Sequence, residues 1–94
     1  MKIVTVLGLE TKDFKSGYTI DIMFLDIGEI IKVCVYCVND VDDIVYFYDV
    51  NDPEDNGYIC INDLSLNGEF GEFTRQKILR LYDENGQTIW AHPF

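Results

Sequence analysis

Residues Ile30–Val50 read IIKVCVYCVNDVDDIVYFYDV, and this run decides the fold. Ile30–Val38 is almost wholly β-branched, cysteine or aromatic, and apolar on both faces. Such a run predicts a central strand covered on both sides. Asn39–Asp43 is an acidic turn, and Ile44–Val50 is a second strand. In that strand Tyr46, Tyr48 and Val50 face away from Val45, Phe47 and Asp49, because side chains alternate with period two. Two strands joined by so short a turn point to an antiparallel sheet. Val33, Val35, Val45, Phe47 and Ile61 are the expected core.

Working outward, Lys2–Leu9 reads as a first strand. Glu10–Gly17 is a polar connection that Phe14 pins to the core, with Ser16-Gly17 as a turn signal. Tyr18–Ile27 again alternates, with Tyr18, Ile20, Ile22 and Phe24 on one side. Asp26–Glu29 is a tight turn. Beyond Val50, the Asp-Pro and Asn-Gly pairs of Asn51–Gly57 predict a break, Tyr58–Leu66 a returning strand, and Asn67-Gly68 a hairpin turn. Phe73–Tyr82 has two readings. Thr74 as a cap and Asn85-Gly86 as a stop would make a short helix near 74–84. The preferred reading is a hairpin, with strands at Ile78–Tyr82 and Gln87–Ala91 around Asp83–Gly86. Frequent turn signals make the expected fold mainly β, or α+β if the helix forms: a small antiparallel barrel or sandwich. Ninety-four residues, 48% of them hydrophobic, suit a single compact domain spanning 1–94.

Charge is segregated. Val33–Thr74 holds 10 acidic residues and no Lys or Arg, while the other residues hold 7 acidic and 7 basic. The formal charge of −10 therefore belongs to one continuous segment. Its densest part, Asp40–Asp55, sets seven carboxylates around Ile44–Tyr48. An acidic chain repels phosphates and anionic membrane surfaces, so neither nucleic acid nor membrane is an expected direct partner. A basic protein is. The competing explanation is that negative charge serves solubility alone. No leader is recognisable, and three cysteines are an odd number, so reduced thiols in the cytoplasm are expected, the host cytoplasm if a phage encodes the protein.

Chemistry-bearing motifs are sparse. Cys34-Val-Tyr-Cys37 has C-x-x-C spacing, and Cys60 and His92 would complete four zinc ligands on paper. Residues three apart on a strand face opposite sides, however, so small apolar side chains are the expected role of the cysteines. Asp52–Asp63 reads DPEDNGYICIND and resembles an EF-hand or dockerin-type calcium loop, with Asp52, Glu54, Asn56 and Asp63 at positions 1, 3, 5 and 12 and Gly57 at position 6. Glu at position 3, Asp at position 12 and non-helical flanks depart from that pattern. The resemblance implies a weak calcium site. There is no nucleophile–base constellation, P-loop or dinucleotide fingerprint, so neither an enzyme nor a cofactor is expected. Arg75, Lys77 and Arg80 are expected to pair within the molecule.

These features point to an acidic binder. Its expected contact residues are Asp40, Asp42, Asp43, Tyr46, Tyr48, Asp49, Asp52, Glu54 and Asp55. Side chains on one strand face repeat at about 6.8 Å, of the order of phosphate spacing, so carboxylates on a sheet and its turns can imitate a charged backbone. In composition the chain is similar to phage anti-restriction and anti-CRISPR proteins. The implied partner is a nuclease, a CRISPR effector or a toxin. An immunity protein or antitoxin that neutralises a basic toxin is the alternative, and a calcium-binding module the third reading.

Overall fold

The computed structural model describes residues 8–65, 67–71 and 74–93. The expected strand at Lys2–Leu9 falls largely outside them. Seven antiparallel strands form one sheet: β1 (Thr19–Phe24), β2 (Glu29–Asn39), β3 (Ile44–Asp49), β4 (Asp52–Cys60), β5 (Glu69–Phe70), β6 (Gln76–Tyr82) and β7 (Thr88–Ala91). Their order is β4-β3-β2-β1-β6-β5, and β7 also pairs with β6. Short 3-10 turns at Thr11–Asp13 and Ile61–Asp63 complete the described elements.

The β-rich antiparallel fold agrees with the sequence, but the sheet does not close into a barrel. The β4 edge (Gly57, Tyr58, Cys60) and the β5–β6 corner (Phe70, Gly71, Arg75) instead line one cleft. No ladder joins them among the described residues. No helix forms at 74–84. Gln76–Tyr82 pairs with β1, β5 and β7 instead, and this pairing overrides local helix propensity. The hairpin turn is held by Asp83, whose Oδ1 accepts from the backbone N–H groups of Asn85 (2.8 Å) and Gln87 (2.9 Å).

Among the described residues, one face of the sheet is covered. Ile20, Ile22, Val33, Val35, Val45, Phe47, Ile59, Ile78 and Leu81 are buried on it. Leu9, Phe14 and Ile61, from the two 3-10 regions, join the same cluster. The five expected core residues are all among them. The expectation that β2 is covered on both sides fails: its burial alternates, and Ile30, Tyr36 and Cys37 are exposed. Among the described residues no second layer lies over the other face, and Ile30, Tyr36 and Tyr58 there are exposed.

Two local departures from the sequence reading have clear causes. Asp52–Gly57 is strand, not a break. Among the described residues β4 pairs only with β3, so Pro53 needs no donor towards a further strand. Pro53, Glu54 and Asp55 sit within a register shift, between Asp49↔Asp52 and Tyr48↔Asn56. Gly57 lies opposite Phe47, and a Cβ there would stand 3.2 Å from two carbons of the Phe47 ring. Glycine thus lets the aromatic ring pack under the edge strand. The second departure is that β4 ends at Cys60 and the chain turns into the 3-10 segment at Ile61, where the sequence predicts strand to Leu66.

Gly57→Ala should therefore lower stability by about 1 kcal/mol, as the added methyl displaces the Phe47 ring. Chemical denaturation checks this, with an unchanged m-value expected because the fold is retained.

Candidate protein-binding face

The uncovered face carries the chemistry. Register places Asn56, Tyr58 and Cys60 of β4 beside Tyr48, Tyr46 and Ile44 of β3. Tyr48 in turn lies opposite Cys34, and Tyr46 opposite Cys37, on β2. The register shifts between Val35 and Cys37, leaving Tyr36 as the extra residue of a bulge. This bulge changes the phase of the strand. Cys37 turns to the open face, and Val38 packs on the core. The sequence reading, which placed Cys34 and Cys37 on opposite sides, assumed an unbroken strand and is corrected here. Nor are the cysteines buried hydrophobes: Cys37 is exposed, and Cys34 and Cys60 are half-buried.

Four tyrosines tile this region. Ring centroids are 6.3 Å apart for Tyr58–Tyr46, 6.3 Å for Tyr46–Tyr36 and 6.2 Å for Tyr36–Tyr48, all tilted. Tyr58 is 59% exposed and Tyr36 48%. The hydrogen bond with Cys34 pushes the Tyr48 phenol above its ordinary pKa. Tyr46 and Tyr48 were expected contact residues. Tyr36 and Tyr58 extend the set; their signal in the sequence was period-two placement alongside them.

The carboxylates lie at the ends of these strands rather than along them. Asp40, Asp42 and Asp43 occupy the β2–β3 turn, whereas Asp49, Asp52, Glu54 and Asp55 gather at the opposite end of β3 and the start of β4. Six extended steps separate Asp43 from Asp49, roughly 20 Å. The open-face positions of β3 and β4 hold Ile44, Tyr46, Tyr48, Asn56, Tyr58 and Cys60, so no strand presents a comb of carboxylates.

The acidic residues also differ in duty. Asp43 is half-buried, with φ of +57°. Its carboxylate accepts from the Thr11 hydroxyl (2.7 Å) and from Asn62 Nδ2 (3.0 Å), tying the two 3-10 turns to the hairpin. It therefore has a structural duty within the fold. Asp42 is exposed and accepts from Asn39 Nδ2 (3.0 Å). Asp49 accepts from the Asn51 backbone N–H (2.9 Å). Asp40, Asp52, Glu54 and Asp55 are exposed.

The calcium-loop resemblance does not survive the geometry. Asp52, Glu54 and Asn56 lie on β4, where Asp52 pairs with Asp49 and Cys60 with Ile44, five steps apart on β3 and so roughly 17 Å. Calcium ligands must converge to 2.3–2.6 Å from one point. Among the described residues, no three His, Cys, Asp or Glu side chains are grouped to hold a metal, and Cys34, Cys37, Cys60 and His92 form no zinc site. His92 lies instead beside Trp90, with its Nε2 2.7 Å from the Asn67 carbonyl oxygen.

Lys12, Lys32 and Arg75 form ion pairs within the molecule. Arg75 pairs with Glu69. Lys32 sits 3.4 Å from Asp21 Oδ1 and 4.0 Å from the Tyr82 ring centroid, and the Tyr82 hydroxyl donates to Asp21 Oδ2 (2.5 Å). No described helix is long and apolar enough to cross a membrane. No protein-family model, curated protein or solved structure matches the chain.

Two measurements test this geometry. Asp43→Lys should cost about 1–3 kcal/mol, since it strands the Thr11 and Asn62 donors, whereas Asp55→Lys should stay within about 0.5 kcal/mol; thermal melts separate them. Burial, then the charge of Asp63, pushes the Cys60 thiol up. The reactive thiolate therefore forms there only at higher pH. Iodoacetamide at pH 8, followed by peptide mass spectrometry, should label exposed Cys37 first and Cys60 last, and raising the pH should narrow the gap.

Proposed function

We propose that this protein is a small acidic inhibitor that binds a basic, nucleic-acid-handling protein through the open face of β2, β3 and β4. The observation that carries this reading is the tyrosine tile between two acidic ends. Aromatic side chains supply rigid, desolvatable contact area, and charges around them act as a rim. Such rims steer a basic partner to the face and set its orientation. Asp40 and Asp42 form one end of the rim, and Asp52, Glu54 and Asp55 the other. On this reading the two ends occupy positions that phosphates would take on the partner, and the tyrosines supply the adhesion between them. Solubility alone would need the charge but not the uncovered aromatic face.

The test is stoichiometric inhibition of cleavage by purified nucleases of three classes: RNA-guided effectors, restriction enzymes and basic toxin nucleases. Inhibition confined to the toxin class would make the protein an immunity factor; inhibition of none would end the proposal. For any partner found, reversing Asp52, Glu54 and Asp55 to Lys should slow association by roughly 10- to 1,000-fold at low salt, and less at high salt. Asp26, Glu29 and Glu84, exposed and outside the acidic segment, provide the matched control. Equal slowing by both triple variants would show that net charge, not this rim, governs binding.

A further inference from the structure

We infer that the tyrosine tile is a receptor for arginine side chains, so that the partner's contact segment is arginine-rich rather than merely basic. This rests on the proposed protein-binding role of the face and adds the chemistry of what it recognises. Three observations combine. The tile is continuous, with neighbouring rings 6.2–6.3 Å apart across three strands and its two outer members about half exposed. No Lys or Arg occurs anywhere in Val33–Thr74, so the segment that supplies these rings supplies no cation to cover them. Further along the same face, the sheet already seats a cation on a tyrosine: Lys32 lies 4.0 Å from the Tyr82 ring centroid, with Asp21 beside it. Ring, cation and carboxylate are complete at Tyr82, whereas at Tyr36, Tyr46, Tyr48 and Tyr58 the rings and nearby carboxylates are present and no described cation lies on them.

The chemistry favours guanidinium over ammonium. Arginine is planar and weakly hydrated, so it stacks on an aromatic face at low desolvation cost. Its fork also reaches a carboxylate in a bidentate pair, which a lysine cannot do. A guanidinium lying on Tyr58 or Tyr36 can turn its free edge towards the acidic rim. A second copy of this chain is a poor occupant, because face-to-face association would oppose two acidic rims.

The experiment titrates the full chain with two disordered peptides of equal length and charge, (Arg-Gly)6 and (Lys-Gly)6, by calorimetry and by tyrosine-ring NMR shifts at low salt. The arginine peptide should bind about three- to tenfold tighter, with shifts centred on Tyr58, Tyr46 and Tyr36. The double variant Tyr36→Leu/Tyr58→Leu keeps apolar bulk at the two exposed rings and should erase the preference, weakening the arginine peptide more than the lysine peptide. Tyr36→Phe/Tyr58→Phe keeps both π-faces and should preserve it, which guards against a folding artefact. The triple reversal of Asp52, Glu54 and Asp55 should weaken both peptides. Equal affinity for the two peptides, or no binding of either, overturns the arginine inference. Stoichiometric nuclease inhibition in the same preparation would still support the basic-partner reading, so the two failures are distinguishable.

Discussion

A sheet with one covered face governs everything else in this protein. The apolar side chains of β1, β2, β3, β4 and β6 on one side, together with Leu9, Phe14 and Ile61, make a single core. Burying this face is the main favourable term in folding. Among the described residues no element covers the other face, so its side chains are available for contact rather than for packing. Tyrosine suits that position, because its ring tolerates partial burial and its hydroxyl stays wet.

Two devices hold the open face in its arrangement. The bulge at Tyr36 gives β2 one residue more than β3, places Tyr36 between Tyr46 and Tyr48, and returns Val38 to the core. Asp43 works from below: its left-handed backbone closes the β2–β3 turn, and its carboxylate joins the two 3-10 regions that bring Leu9, Phe14 and Ile61 into the core. The acidic turn is thus partly a structural joint and partly a free charged surface, with Asp43 and Asp42 on either side of that division.

Much of this was legible in the residues. Period-two alternation marked β1 and β3, and the expected core residues are buried because alternation follows directly from strand geometry. The hairpin around Asp83–Gly86 was readable from its turn chemistry. What failed did so where the outcome depends on tertiary partners. Asp-Pro and Asn-Gly read as a break, yet an edge position makes Pro53 harmless and the Phe47 ring makes Gly57 useful. A bulge has no local signature in VCVYCV, so the phase of Cys37 could not be read. The acidic residues were recognised as a set, but their sorting into turn-holding and free carboxylates required knowing that Thr11 and Asn62 stand beside Asp43.

The outer side of β4 gives the acidic segment a second meaning. An edge strand is a template on which another chain can pair, and proteins disarm such edges with charge, proline and bulges. Asp52-Pro53-Glu54-Asp55 supplies all three over half of the strand, and it leaves the Asn56–Cys60 half without a charged residue. Carboxylates guard only while ionised. Near the isoelectric point of about 4.2 the net charge vanishes, and with it the repulsion between molecules. Acid thus brings copies together while the Asn56–Cys60 half of the edge carries no charge of its own, so the acidity on which the proposed binding role draws also bears on self-association.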